Sequence, residues 1–166
     1  MIPAHLITRN NTPANMSLPL LILYATQTGN AESVAEKVAS AARARGYEPR
    51  TWNVDGLDVK SLASEPTALF VVSTYGEGDP PDAAITFWEE IQRLSAGALA
   101  SLRYSVYALG DTSYTEFCGF GRKLDEELEK VGATRVADRC DNDLDFESAL
   151  DAWIESAFQG LSKAPA

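Results

Sequence analysis

Three stretches of the chain are apolar at nearly every position, and each runs straight into a polar, glycine-bearing segment. LLILYA at 20–25, ALFVV at 68–72 and YSVYAL at 104–109 lack the apolar–polar alternation of a half-exposed strand. Continuous runs of this length predict strands buried on both faces. Elsewhere the period changes to that of a helix. Ala31, Val34, Ala35, Val38, Ala39 and Ala42 share one helical face and Gly46 follows them, which predicts a helix ending near Arg45. Phe87 to Leu94 reads as a second helix, and Phe117, Phe120, Leu124, Leu128 and Val131 mark a third, stopped by Gly132. A fourth carries Phe146, Leu150, Trp153, Ile154 and Phe158. Shorter strands are expected at 49–54 and 134–137. Strands alternating with helices imply an α/β fold: a five-stranded parallel sheet with right-handed crossovers and helices on both faces.

In an open parallel sheet a ligand sits outside the carboxyl ends of the strands. The segments 26–30, 73–82 and 110–116 therefore share one candidate site. In the first, TQTGN, the side chains of Thr26, Thr28 and Asn30 are donors, Gly29 permits a tight turn, and the helix that follows offers free N–H groups at its positive end. No Lys or Arg lies between Arg9 and Lys37, so the segment lacks the lysine of a triphosphate-binding loop and suits a single phosphate monoester held by neutral donors. The same residues also fit an ordinary capped helix start. STYGEGDPPD and LGDTSYTEFC each carry one prominent tyrosine, Tyr75 and Tyr114. Either ring alone reads as an amphipathic surface residue; two on converging loops beside a phosphate site can sandwich a planar heterocycle.

Composition narrows the classes further. A chain of 166 residues, 45% hydrophobic, suits one domain. That domain is expected over 19–160, between an N-terminal tail at 1–18, read as flexible and not as a signal peptide, and a C-terminal tail or linker start at 161–166. Net charge is -10, and the imbalance lies in residues 76–166, with 18 acidic and 8 basic side chains. Such a surface repels nucleic acid and anionic membranes; it either attracts basic proteins or serves solubility. Cys118 and Cys140 have neither C-x-x-C spacing nor a nearby histidine, which argues for a reduced, cytoplasmic setting. His5, the single histidine, lies in the N-terminal tail, so histidine-based triads and multi-histidine metal sites are excluded. No apolar run approaches the roughly 18 residues of a membrane span.

TQTGN, STYGEGDPPD and LGDTSYTEFC in this order resemble the FMN-binding, flavodoxin-like domain of diflavin reductases, over about residues 19–160. With GATRVADRCDND at 132–143, the chain looks most like the flavoprotein component of assimilatory sulfite reductase, although at Tyr75 it matches the microsomal cytochrome reductases. The resemblance, and not the spacing of elements, supplies a strand order of 2-1-3-4-5. It implies FMN, with Thr26, Gln27, Thr28, Gly29 and Asn30 on the phosphate and Tyr75 and Tyr114 on the two ring faces. Gly76 would offer its backbone to flavin N5, and Gly110 and Asp111 would line the pyrimidine side. Ser73, Thr74, Glu77, Gly78, Leu109, Phe117, Cys118 and Asp141 complete the expected set. A glycine at the N5 loop permits a peptide flip that makes one-electron steps accessible. Nearby acids at Glu77, Asp111, Asp141 and Asp143 would disfavour an anionic reduced ring.

The implied partners are an NADPH- and FAD-containing reductase module as donor and a basic haem or iron–sulfur protein as acceptor. Gly76 to Pro81 and Gly119 to Leu124 both fail G-x-G-x-x-G at its last position, so a nicotinamide fingerprint is missing and electrons must come from elsewhere. Asp141 to Asp145 begins like a calcium loop, but Phe146 stands where glycine is needed; the stretch reads as an acidic helix approach, with Asp145 and Glu147 in the first turn. A second class stays open: a signalling or protein-binding module on the same fold, without redox activity.

Overall fold

Alternate side chains of the three apolar runs enter two separate cores, one on each side of a single sheet. The computed structural model describes residues 17–163; the rest of the expected N-terminal tail, with His5, lies outside them. In chain order the elements are β1 (Leu18–Ala25), α1 (Asn30–Ala44), β2 (Tyr47–Asn53), β3 (Thr67–Ser73), α2 (Ile85–Gln92), β4 (Arg103–Leu109) and α3 (Gly119–Lys130). β5 (Thr134–Arg135), β6 (Cys140–Asn142) and α4 (Leu150–Ser162) complete the chain, with 3-10 turns at Val59–Ser64 and Asp82–Ala84. The α4 helix thus runs two residues past the boundary expected at 160.

All strand pairs are parallel and the order is β2-β1-β3-β4-β5, with β6 also on β4. One face sends Leu21, Leu23, Phe70, Val72 and Val106 against α2 and α3; the other sends Leu20, Ile22, Leu69, Val71 and Tyr107 against α1 and α4. Each fully buried side chain of this size contributes about 1.5–3 kcal/mol. Full burial on both faces explains the unbroken apolar runs.

The fifth strand is divided. Tyr104 pairs with Arg135 and Tyr107 with Cys140, so the edge strand advances five residues while β4 advances three. The extra residues bulge on the α4 side, where Val136 and Ala137 pack, and the segment is pinned from the α3 side. Asp125 of α3, 3% exposed, accepts from Tyr104 Oη (2.8 Å), Arg135 Nε (2.8 Å) and Arg139 Nη1 (3.0 Å). Arg139 also pairs with Asp141 at 2.8 Å. A carboxylate this buried is tolerated because both oxygens meet charged or hydroxyl donors. The interruption allows Asn142 to reach the end of β4, where its Nδ2 donates to the Ala108 carbonyl (3.0 Å).

The helix α3 lies unusually close to the sheet. A Cβ on Gly121 would stand 2.4 Å from Ala108 Cβ, and one on Gly119 would stand 2.6 Å from Gly78 Cα. The chain enters α3 through Cys118, whose φ of 52° is left-handed. That turn starts the helix two residues later than the apolar period predicts. Cys118 is fully buried, with Sγ 3.5 Å from the Asn142 carbonyl and in the space that a side chain on Gly110 would need.

Two expectations follow from this packing. Gly121→Ala should lower the free energy of unfolding by about 1–3 kcal/mol, as overpacking does, read from a urea midpoint at unchanged slope. Burial pushes the Cys118 thiol from its ordinary 9.0 up to about 12. The native thiol keeps its proton where the unfolded one ionises, so its contribution is full below pH 9.0 and is lost progressively toward pH 12. Burial also raises Tyr104 and Tyr107, which add to the same alkaline loss. Cys118→Ser should therefore lose less stability than the wild type between pH 9 and pH 11 in parallel denaturant titrations. Parallel curves would mean that the thiol ionises freely in the folded protein.

Candidate functional site

β1 ends at Ala25, and the next four residues form a closed turn. Thr26 Oγ1 accepts the Gly29 N–H at 2.8 Å, which leaves its own O–H as a donor. Gly29 has a φ of 96° with nothing within 4 Å of a Cβ, so conformation and not space demands glycine. α1 begins at Asn30 without a side-chain cap. Its first-turn N–H groups lack acceptors within the helix and form a positive end. Gln27 Oε1 accepts the Asp82 N–H (3.4 Å) and links this turn to the next loop.

The loop after β3 is clamped to α3. Thr74 Oγ1 accepts the Phe120 N–H (3.1 Å), Glu77 Oε1 accepts the Glu116 N–H (3.2 Å), and Lys123 Nζ donates to the Gly78 carbonyl (3.1 Å). Tyr75 and Asp79 exchange backbone hydrogen bonds at 2.7 and 3.0 Å, so the loop tip is a tight hairpin. Gly76 sits there with a φ of 53°, and its carbonyl accepts the Gly78 N–H (3.0 Å). In this conformation the carbonyl expected at flavin N5 is engaged within its own turn.

The loop after β4 is held at its start, where Gly110 donates to the Asn142 carbonyl (2.8 Å). Asp111 Oδ1 accepts from Ser113 N and Oγ, and Tyr114 N–H returns to the Asp111 carbonyl (3.1 Å). Asp143, just past β6, accepts from Thr112 N (3.0 Å), Thr112 Oγ1 (2.6 Å) and Leu144 N (2.8 Å). These bonds to the charged form hold its carboxyl below the usual range, the Thr112 hydroxyl first.

These segments enclose a cleft of about 420 Å³, within the span of small-molecule sites. Of the residues expected from the sequence, Gln27, Thr28, Asn30, Ser73, Thr74, Tyr75, Gly76, Leu109, Gly110, Asp111 and Tyr114 line it. Tyr75 is 51% exposed and Tyr114 43%, so two half-exposed rings on different loops meet one cleft. The lining has no cation; its charged members are Asp111 and Asp143. A phosphate there would meet neutral donors alone.

Other expected residues shape the cleft from behind. Thr26 and Gly29 build the first turn, and Glu77 and Gly78 face α3. Phe117 packs into the core beside α2 and α3, and Cys118 lies beneath Gly110. Asp141 is turned to Arg139, and Glu116 to Arg122 at 2.8 Å. Asp143, expected as an acid near the ring, lines the cleft, and Leu144 and Phe146 line it without having been expected there. They follow β6, whose three residues, Cys-Asp-Asn, carry no apolar pattern to announce a strand. The acidic helix approach read from 141–145 is corrected accordingly: Asp141 and Asn142 belong to β6, and α4 begins only at Leu150, with Asp151 in its first turn. Among the described residues, no cluster of His, Cys, Asp or Glu is placed to hold a metal ion, and no helix is long and apolar enough to cross a membrane.

The Flavodoxin family matches residues 22–153. The chain is 36% identical over 162 residues to the sulfite reductase [NADPH] flavoprotein alpha-component of Bacillus subtilis, covering 98% of this chain and 27% of that one. It is 42% identical over 138 residues to the Vibrio parahaemolyticus component of the same name, covering 83% and 22%. The chain thus spans about a quarter of these relatives. Among solved structures, a C101S mutant of flavodoxin from Pseudomonas aeruginosa superposes with a TM-score of 0.77 at 26% identity, covering 88% of this chain and 100% of that one. The neutral donors at the α1 N-terminus and the two tyrosines suit a flavin with one terminal phosphate. With sheet order, cleft and sequence in agreement, the chain belongs to the flavodoxin family, a flavoprotein fold whose cofactor is FMN.

Proposed function

We propose that the protein is a one-electron carrier between an NADPH-fed flavin module and a haem or metal acceptor, as part of a sulfite reductase-like system. One observation supports this reading most. The residues suited to a phosphate, Gln27, Thr28 and Asn30, share a single cleft with Tyr75 and Tyr114. In this reading the α1 N-terminus and the Thr26–Asn30 donors hold the phosphate, and the two phenol rings cover the isoalloxazine. Bound FMN supplies the redox chemistry. The protein's part is to orient the ring, limit water at its faces and keep one edge accessible.

Tyr75, Tyr114 and the 72% exposed Leu144 surround the mouth of the cleft with apolar surface. Asp79 and Asp82 lie exposed on the Tyr75 loop. Weak redox encounters use small, charge-steered interfaces, so an acceptor with Lys and Arg around its own cofactor fits this rim. Glu116 and Asp141 contribute less than their charge suggests, because Arg122 and Arg139 neutralise them.

Purified protein should bind flavin one-to-one, and extraction should release FMN; recovery of FAD, or no uptake on reconstitution, would overturn the reading. Tyr114→Ala should weaken FMN binding by about 1–3 kcal/mol, the loss of a large aromatic contact, with the fold intact. Unchanged affinity by fluorescence titration would make Tyr114 a surface residue of no role in binding.

A further inference from the structure

Within the loop that carries Tyr114, the hydrogen bonds fix its shape but not its place. Asp111 Oδ1 accepts from Ser113 N and Oγ, and Tyr114 N donates to the Asp111 carbonyl, so all of these are internal to the loop. The Tyr114 side chain makes no hydrogen bond or ring contact to any described residue. Besides the Glu116–Arg122 pair, the loop is tied to the rest of the molecule at three points. Gly110 N donates to Asn142 O, Glu116 N donates to Glu77 Oε1, and Thr112 donates twice to Asp143. Of these three, the Asp143 tie reaches the chain after β6, and it is made by Thr112, two residues before Tyr114. Its second acceptor site on Oδ1 takes Leu144 N, which orients the carboxylate before it meets Thr112.

We propose that Asp143 is the positioning residue for the Tyr114 wall of the cleft. Its carboxylate locks the 110–114 loop to the segment after β6, so that Tyr114 is held ready before the flavin arrives. The inference rests on the FMN reading of the cleft. Without the lock, the loop would have to be ordered at the moment of binding, and affinity would fall by that cost. The carboxyl, which these hydrogen bonds hold below its usual range, is ionised and so a triple acceptor at neutral pH. Phe146, on the same segment, lines the cleft too and has its carbonyl fixed by Tyr107 Oη at 2.5 Å. The lock therefore joins the 110–114 loop to a segment anchored in the sheet.

Asparagine separates position from charge. In Asp143→Asn, Oδ1 still accepts from Thr112 N and Leu144 N, and the Thr112 hydroxyl can reverse to accept from the new amide. Alanine removes all three acceptor contacts. FMN dissociation constants should be measured by flavin fluorescence for the wild type, Asp143→Asn, Asp143→Ala, Tyr114→Ala and the Asp143→Ala/Tyr114→Ala double variant. We expect Asp143→Ala to bind about tenfold more weakly and Asp143→Asn to stay within about threefold of the wild type. In the Tyr114→Ala background the alanine change should cost less than about twofold, because the wall it positions is already gone. The visible flavin band of Asp143→Ala should shift toward that of Tyr114→Ala. Equal affinity of Asp143→Ala and wild type, an equal loss in both backgrounds, or an asparagine variant as weak as alanine would each overturn the proposal while leaving the cofactor reading intact. A wild type that takes up no FMN would overturn both.

Discussion

The close approach of α3 to the ends of β3 and β4 is the constraint on which the cleft depends. Gly121 lies against Ala108 and Gly119 against Gly78, in each case with no room for a methyl group. That distance lets Thr74 cap Phe120, Glu77 reach the Glu116 amide and Lys123 reach the Gly78 carbonyl. A helix displaced by one methyl group would lengthen the Phe120–Thr74 bond, made from the helix backbone, beyond useful geometry. The Tyr75 loop would then lose its fixed base. Packing that is purely steric thus sets the position of polar groups several residues away.

The electrostatics of the cleft follow from where charge is not. Its lining offers hydroxyls, amides, a helix N-terminus and two carboxylates, with no Lys or Arg. A phosphate monoester there would meet the helix dipole and neutral donors, whereas a polyphosphate would need cations that the cleft does not supply. The arginines of this half of the molecule are committed elsewhere. Arg135 and Arg139 are bound to the buried Asp125, and Arg139 also to Asp141. Their work is to pin the bulge between β5 and β6. With the bulge in place, Asn142 reaches both Ala108 and Gly110, and the chain can turn Asp143 toward Thr112.

Much of this was legible along the chain. The runs at 20–25, 68–72 and 104–109 are β1, β3 and β4 within a residue or two at most ends, because a strand buried on both faces leaves no polar position to confuse its pattern. The α1 period appears unaltered in the burial of Ala31, Val34, Ala35, Val38, Ala39 and Ala42. Loops that follow such strands must open at the same end of a parallel sheet, which is why TQTGN, STYGEGDPPD and LGDTSYTEFC could be assembled into one site before any coordinates. The divided fifth strand was not legible. β6 is polar, three residues long and an edge, and it is held by Asn142 and by register with β4 rather than by a run of apolar side chains.

The chain alone therefore determined the class of fold, the three principal loops and the chemistry of the ligand, since each depends on local pattern and on residue type. Tertiary structure decided which of the residues in those loops line the cleft. Cys118 sits within the LGDTSYTEFC motif yet lies under the sheet end, because its left-handed backbone turns it into the space that Gly110 leaves open. Asp141 and Asp143 are two residues apart in one acidic stretch, yet one is claimed by Arg139 and the other lines the cleft. Which way a side chain of a polar segment turns is settled by the partner that reaches it across the fold. That partner, here Arg139 or Thr112, leaves no mark in the local sequence pattern.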